Sequence, residues 1–323
     1  MSEEAPNPTG PNLRPIWRFA ISFCLLLFAY LTVNLMLGTV FHFAGGAPNL
    51  FAILFAENLS MLAAMLAIYK MLCKVIDGKP LAFVGLGFHK RWKNELGFGL
   101  ALGALMILAV AALERICGAA SFSVASLADG GAQHVAVWAA YSLIIFSVAG
   151  TSEELSFRGY PFQRLADSIG AVGATAAFAI LFGLVHLGNS SHTWISTCNT
   201  MLVGVTLAVA YLRTRSLWLP VGIHVAWNLV QGFVLGLPVS GIVLPQSLLH
   251  SQVRGPDWLT GGKYGPEGGL FATLIFVAAT VYLSLSKRIY VSREMRDLVF
   301  GPVVAESQSP TPAAQDAVGE NLS

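Results

Sequence analysis

Residues 16–43, IWRFAISFCLLLFAYLTVNLMLGTVFHF, decide the fold class of this chain. A helix needs about 20 mostly apolar residues to cross the hydrocarbon core of a bilayer, and this stretch exceeds that length, so it can tilt or extend past the membrane. The residues before it are rich in proline and begin with acidic rather than basic side chains, unlike the start of a secretory signal. We therefore predict a retained membrane-spanning helix.

Further apolar stretches follow along the chain, each close to the length that a membrane-spanning helix needs. They cover residues 51–73, 96–117, 135–152, 171–188, 195–212, 217–236 and 269–286. Of all residues, 55% are hydrophobic and only 11% are charged, whereas a typical soluble domain has about 25% charged residues. We expect an all-α fold, a polytopic transmembrane helix bundle of about eight spans.

The basic residues lie in alternate loops, with Arg254 and Lys263 of the long 237–268 loop as the exceptions. Positively charged loops stay on the cytoplasmic side, so we expect a multi-pass protein of the bacterial plasma membrane with both termini in the cytoplasm. The net charge is only +2, and we expect the lipid bilayer as a partner and no nucleic acid. The four cysteines form no CxxC pair, which argues against disulfides and zinc knuckles.

The same patterns divide the chain into regions. These are 1–15, a disordered cytoplasmic N-terminus; 16–134, N-terminal transmembrane helices with an interfacial segment at 80–95; 135–236, a four-helix core that carries the polar motifs described below; 237–268, an extracytoplasmic loop; 269–300, the last transmembrane helix and a basic juxtamembrane segment; and 301–323, a disordered C-terminal tail.

Ionisable groups within membrane spans are costly unless they are paired or face water, so each is a functional hypothesis. The first such motif is GTSEELSFRGYPFQRL at 150–165. On a helix, Glu154 and Arg158 are i,i+4 neighbours that can pair, while Glu153 points about 100° away and stays free for acid/base chemistry. The alternative is an ordinary salt-bridged helix end.

Two further motifs place polar side chains in apolar helices. In FAILFGLVHLGN (178–189), His186 is either functional or a hydrogen-bonded core histidine. In LPVGIHVAWNLVQG (219–232), His224 and Asn228 lie one turn apart, where the amide either orients the ring or stabilises an oxyanion, or both side chains hold helices together. The other histidines lie at span ends or in loops, where we expect them to be solvated: His42, His89, His134, His192 and His250.

Together, the three motifs could converge on one cavity and activate water there. The same set could instead bind a divalent metal such as zinc through Glu153, His186 and His224. The sequence leaves this choice open, although the HExxH signature is absent. Counting along straight helices puts Glu153 and His186 near opposite membrane faces, about 20–25 Å apart. We expect the span boundaries to shift so that the two side chains meet.

The segments EELSFRG, FGLVH and HVAWN resemble, in order and spacing, the EExxxR, FxxxH and HxxxN motifs of the CPBP family. This is the CAAX-protease and bacteriocin-processing (Abi) family of intramembrane peptidases, and the resemblance covers about residues 135–236. It implies that Glu153 activates water with support from Glu154 and Arg158. It further implies that His186, His224 and Asn228 complete the site, the last two shaping the oxyanion environment.

The resemblance also implies a membrane-associated or lipidated peptide or protein as the substrate, and it leaves a glutamate-type and a metallo-endopeptidase mechanism open. Two other functions fit the residues. A proton-linked transporter could use buried Glu and His as a relay, although only Pro220, with no counterpart, interrupts a span. A non-catalytic immunity or scaffold protein could retain the fold without the chemistry.

Overall fold

The computed structural model of the chain describes residues 13–43, 49–124 and 131–301. The predicted disordered ends therefore lie outside the described residues, except for residues 13–15 and 301. The described part is predominantly α-helical, which confirms the all-α prediction. The helices are α1 (Pro15–Phe43), α2 (Leu50–Val75), α3 (Trp92–Ile116), α4 (Gly131–Arg158), α5 (Tyr160–Val185), α6 (Trp194–Thr214), α7 (Trp218–Leu229), α8 (Asp257–Thr260), α9 (Leu270–Leu285) and α10 (Arg293–Phe300).

All eight predicted spans are helical over almost their whole length, in α1 to α7 and α9. By length and mean hydropathy, α1, α2, α3, the α4–α5 stretch and α6 are able to cross a membrane, while α9 is apolar but has 16 residues. Many large apolar side chains on the outside of α1 and α2 are exposed, including Phe28 and Leu35. Lipid is the solvent that such a surface fits, so the chain is an integral membrane protein.

A reversal at Gly170 accounts for the apparent mismatch in depth between the fourth and fifth spans. Gly170 has φ +83° and ψ 160°, a conformation that breaks α5 into two helical pieces. The second piece folds back, so that the ring of Phe178 lies 5.5 Å from that of Phe162 and the ring of Phe182 lies 4.8 Å from that of Phe157. The chain thus turns at Gly170 and not just after Glu153.

This position of the turn brings the two motifs to the same depth. Glu153 precedes Gly170 by 17 residues, and His186 follows it by 16. At 1.5 Å per residue each lies about 25 Å of helix from the reversal. The fourth span predicted at 135–152 is therefore too short, because α4 continues to Arg158.

Glycines let α3 and α7 pack in direct backbone contact. A Cβ atom on Gly99 would lie 2.4 Å from the Leu219 carbonyl oxygen, and one on Gly103 would lie 2.2 Å from that of Ile223. Gly222 faces α3 in the same way. Small residues spaced four apart permit this close approach between membrane helices. The contact fixes α7, which carries His224 and Asn228, against the body of the bundle.

The loop predicted at 237–268 contains ordered structure. Strand β2 (Leu249–Val253) pairs antiparallel with β1 (Ala120–Val124), which follows α3, and Ala120 is opposite Val253. Helix α8 and a 3-10 turn at Pro266–Gly268 complete the loop before α9. The strands were not predicted, because each has only five residues and, although Ala120–Val124 alternates apolar and polar residues, Leu249–Val253 does not.

The segment before α3 differs from the sequence prediction in one respect. It has a 3-10 turn at Leu81–Val84, and α3 begins at Trp92. His89 is buried, with Nε2 3.2 Å from the Glu95 carboxylate and 3.3 Å from the Ser216 hydroxyl. The expectation that His89 is solvated is therefore wrong, since these partners replace the water that a loop histidine would contact.

Candidate active site

A cavity of about 230 Å³ lies inside the helix bundle. Its walls come from α2, α3, α4, α5, α6, α7, α9 and the loop after α7, and most of the lining side chains are apolar. Glu153, His186, His224 and Asn228 all line it. The three motifs therefore meet in one cavity, whereas counting along straight helices placed Glu153 and His186 near opposite membrane faces.

Glu154 and Arg158 form the i,i+4 ion pair that their spacing indicated. Arg158 Nη1 donates to Glu154 Oε1 at 3.2 Å, and Nη2 donates to the Gly204 carbonyl at 2.8 Å. Both side chains are buried, and Arg158 also packs its guanidinium 5.0 Å from the ring of Phe182. An arginine with these partners neutralises Glu154 and ties α4 to α5 and α6.

Glu153 points away from this pair, and about a third of its side chain is exposed in the cavity. Its Oε2 atom lies 3.7 Å from His224 Nε2. Oε2 itself is buried and has no hydrogen-bond partner among the described residues, so the exposed third of the side chain lies at its other atoms. Glu153 is thus the carboxylate that can contact a molecule in the cavity, whereas Glu154 is held in the protein.

His224 lies between the two carboxylates. Its Nδ1 is 2.8 Å from Glu154 Oε1. A carboxylate paired with arginine accepts hydrogen bonds, so Nδ1 carries a proton, and Nε2 is directed toward Glu153. Arg158, Glu154, His224 and Glu153 therefore form one continuous polar chain that ends at the cavity.

His186 and Asn228 complete the polar lining near this chain. His186 Nδ1 lies 2.7 Å from the Phe182 carbonyl oxygen. That oxygen can only accept, so Nδ1 donates. Asn228 follows His224 by one helical turn and is half-buried at the cavity wall. Its amide can both donate and accept.

Comparison with known proteins gives a match to the part of the chain that carries these residues. Residues 135–230 match the family model described as type II CAAX prenyl endopeptidase Rce1-like. This segment, called the Rce1-like segment below, is similar to that family. The match confirms the resemblance to CAAX proteases and supports the class of intramembrane endopeptidases. No curated protein matches the chain.

All six of the motif side chains lie within the Rce1-like segment, since it begins in α4 and ends just after α7. The six are Glu153, Glu154, Arg158, His186, His224 and Asn228. Four of them line the cavity, while Glu154 and Arg158 lie behind His224. Their roles in the reaction remain a proposal.

The side chains of the Rce1-like site do not form a metal-ligand set. Over residues 13–43, 49–124 and 131–301, no three His, Cys, Asp or Glu side chains are grouped closely enough to bind a metal ion. The proposed set of Glu153, His186 and His224 does not fit a zinc site in this arrangement.

Polar residues outside the Rce1-like segment also reach the cavity, and sequence reasoning missed them. Glu267, in the 3-10 turn before α9, lines it together with Ser240 of the loop. Gln231, in the π-helical turn Val230–Val234 after α7, donates to Glu267 Oε2 at 2.6 Å. Burial raises the pKa of Glu267 to about 7. The only sequence signal for them was the helical spacing of His224, Asn228 and Gln231 at i, i+4 and i+7.

Proposed function

We propose that this protein is an intramembrane endopeptidase of the CAAX-protease class that hydrolyses a peptide bond with water activated by Glu153. The substrate is a membrane-associated or lipidated peptide. The observation that carries the proposal is that the two adjacent carboxylates have different partners. Glu154 is held by Arg158 and His224, while Glu153 faces the cavity beside His224 Nε2.

The chemical step follows from this geometry. Glu153 takes a proton from a water molecule as the water oxygen bonds to the scissile carbonyl carbon, and the carbonyl oxygen becomes an oxyanion. The proton then passes from Glu153 to the nitrogen of the leaving amine as the C–N bond breaks. Glu153 can act as the base because its side chain faces the cavity and the arginine-paired carboxylate beside it, Glu154, does not.

His224 and Asn228 shape the surroundings of the oxyanion. Asn228 supplies a neutral N–H donor one turn from His224, and such donors stabilise the negative charge that develops in the transition state. Glu154 fixes the tautomer of His224, so that Nε2 faces Glu153 and the water. His186 Nε2 is not bonded within the described part of the protein and can orient the water. Arg158 lies 3.2 Å from Glu154 in a buried position and compensates its negative charge.

The proposal includes an orientation in the membrane. The basic residues of alternate loops favour both termini in the cytoplasm of a bacterial cell. In that orientation, the 237–268 loop is extracytoplasmic. Labelling of single cysteines placed at the two ends of the chain and in this loop, in intact cells, would check it.

The test of the activity uses the purified full chain in proteoliposomes and a farnesylated peptide that ends in Cys, two aliphatic residues and a terminal residue. Mass spectrometry measures release of the last three residues. We expect cleavage by the native protein and a loss of about 10³-fold in Glu153→Gln, since glutamine cannot accept the proton.

Glu57→Gln is the matched control, because Glu57 lies on the spanning helix α2 and hydrogen-bonds Asn34. It should cleave at the native rate. Equal rates for the native protein and Glu153→Gln would overturn the proposal, as would the absence of cleavage by the native protein. In the second case, a non-catalytic role of the fold would account for the chain.

A further inference from the structure

Glu267 is a buried carboxyl group in the cavity that the proposed hydrolysis does not use. It lies outside the Rce1-like segment, and only 8% of the residue is exposed. Among the described residues, it has no Lys, Arg or His within ion-pair distance. Burying a carboxylate without a cation is costly, and in a membrane protein such a residue is a functional hypothesis by default.

The protein holds this carboxyl group in a fixed position. Gln231 Nε2 donates to its Oε2 at 2.6 Å, and the Ser240 backbone N–H donates to Oε1 at 3.3 Å. Its own carbonyl accepts from Asn199 Nδ2 at 2.8 Å, and Asn199 in turn accepts from the Thr273 hydroxyl. Two neutral donors therefore orient the carboxylate while leaving its charge uncompensated, and Asn199, itself held by Thr273, fixes the backbone of Glu267.

The cavity as a whole has an acidic lining. Of the described residues that line it, none is Lys or Arg, while Glu153 and Glu267 are both acidic. Arg158 lies nearby, but it is buried and bonded to Glu154 and Gly204. In surroundings of low dielectric constant, a second carboxylate repels an anionic ligand group and attracts a cationic one.

The position of Glu267 relative to α7 determines which part of a bound substrate would contact it. Its partner Gln231 follows His224 by seven residues on the same helical face, which is about 10 Å along the helix axis. An extended peptide advances about 3.3 Å per residue. A peptide bond held at Glu153 and His224 therefore places the residue about three positions away beside Glu267.

We infer that Glu267 selects substrates with a basic side chain about three residues from the scissile bond. The inference rests on the proposed function for the place of the scissile bond, and it names the charge of the substrate side chain that the site accepts.

The ionisation of Glu267 gives the selection a pH dependence. Burial raises the pKa of Glu267 to about 7, so the charge that attracts a basic residue develops above neutral pH. The titratable groups nearest to it are Glu114 of α3 and Tyr264 of the loop. The groups that face it from α6, the turn after α7, and α9 are Asn199, Gln231 and Thr273, which do not titrate.

The test measures binding, so that it does not depend on turnover. The full chain carrying Glu153→Gln is placed in nanodiscs with fluorescent farnesyl-cysteine peptides that have an amidated C-terminus. One peptide set has Lys, norleucine or Glu three residues after the farnesyl-cysteine, and a second set has them three residues before it. At pH 8, we expect Lys to bind about tenfold more tightly than norleucine in one set, and Glu to bind more weakly.

Adding Glu267→Gln should reduce the Lys preference to less than twofold, and adding Asp257→Asn should leave it unchanged, since Asp257 is an exposed carboxylate of the same loop. Equal binding of Lys and norleucine in both sets would overturn the inference, and so would a preference that survives Glu267→Gln. If that variant does not fold, Glu267→Asp keeps the charge and must keep the preference. A failure of the native protein to cleave any peptide would overturn the proposed function and leave this binding result to decide the inference.

Discussion

The carboxylates near the two ends of the α7 face have different partners. At one end, Glu154 is paired with Arg158 and His224, and Glu153 is adjacent to them. At the other end, Glu267 receives hydrogen bonds from Gln231 and from a backbone N–H but has no cationic partner among the described residues. The first end has charges that compensate one another, and the second has a single charge oriented by neutral dipoles.

In the functions proposed above, this difference separates chemistry from substrate selection. The end at Glu153 lies within the Rce1-like segment. The end at Glu267 comes from the loop and the turn before α9, which lie outside that segment.

Removing the cation from the first end should have the largest effect on stability. Arg158→Met leaves Glu154 buried without its cation, which typically costs about 3–5 kcal/mol. Cleavage should also fall, because an unpaired Glu154 no longer fixes His224. Denaturant unfolding in detergent and the peptide-cleavage rate measure the two effects.

Arg115→Met is the control for this change, since Arg115 is exposed at the end of α3. A variant Arg158→Met with native stability and native cleavage would show that the first end does not depend on charge pairing.

Disturbing the packing of α7 should affect both ends together. In Gly103→Ala, the new methyl group would lie 2.2 Å from the Ile223 carbonyl oxygen, so α7 must move. Overpacking of this kind costs about 1–3 kcal/mol, and displacement of His224 and Gln231 should lower both cleavage and peptide binding.

Gly97→Ala on the same helix meets nothing within 4 Å and should be neutral or slightly stabilising. The pair is compared by thermal unfolding and by cleavage. If Gly103→Ala behaved like Gly97→Ala, the close α3–α7 contact would not be what positions the site.

The second end should give the smallest effect, as a pH dependence of stability. Burial raises the pKa of Glu267 to about 7 from its ordinary value of 4.5. Between these values, the folded chain binds a proton that the unfolded chain has lost, so stability is greatest at low pH and falls as pH rises toward 7. The loss between pH 6 and 7 should be about 1 kcal/mol at most.

Glu267→Gln should reduce this slope, while Asp257→Asn should retain it in full. Unfolding midpoints measured from pH 5 to 8 in one detergent provide the comparison. Identical slopes in the native protein and in Glu267→Gln would mean that Glu267 stays ionised in the folded protein.

Much of the fold could be predicted from the sequence because lipid imposes a simple rule on length and polarity. That rule located the helices from α1 to α7 and α9. It could not locate the turn between the fourth and fifth spans, since residues 153–170 are polar enough to be a loop but form helix on both sides of Gly159. Gly170 provides the reversal, and a glycine in a helical pattern does not by itself indicate a turn.

The candidate site was predictable where its residues lie within spans and in motifs, as for Glu153, His186 and His224. Glu267 was missed because a carboxyl group in a polar loop is expected to be solvated, and its burial depends on the way the loop folds over the cavity. His89 was missed for the same reason. In each case, a partner distant in sequence, Gln231 or Ser216, determines the burial.

The most direct measurement is a double-mutant cycle on cleavage between Glu153 and His224, which lie 3.7 Å apart in the polar chain. The single-site variants are Glu153→Gln and His224→Ala, compared with the variant carrying both changes. If the two side chains act as a unit on one water molecule, the double variant should be no more than about threefold slower than the slower single variant. Losses that multiply across the cycle would contradict a shared role for Glu153 and His224.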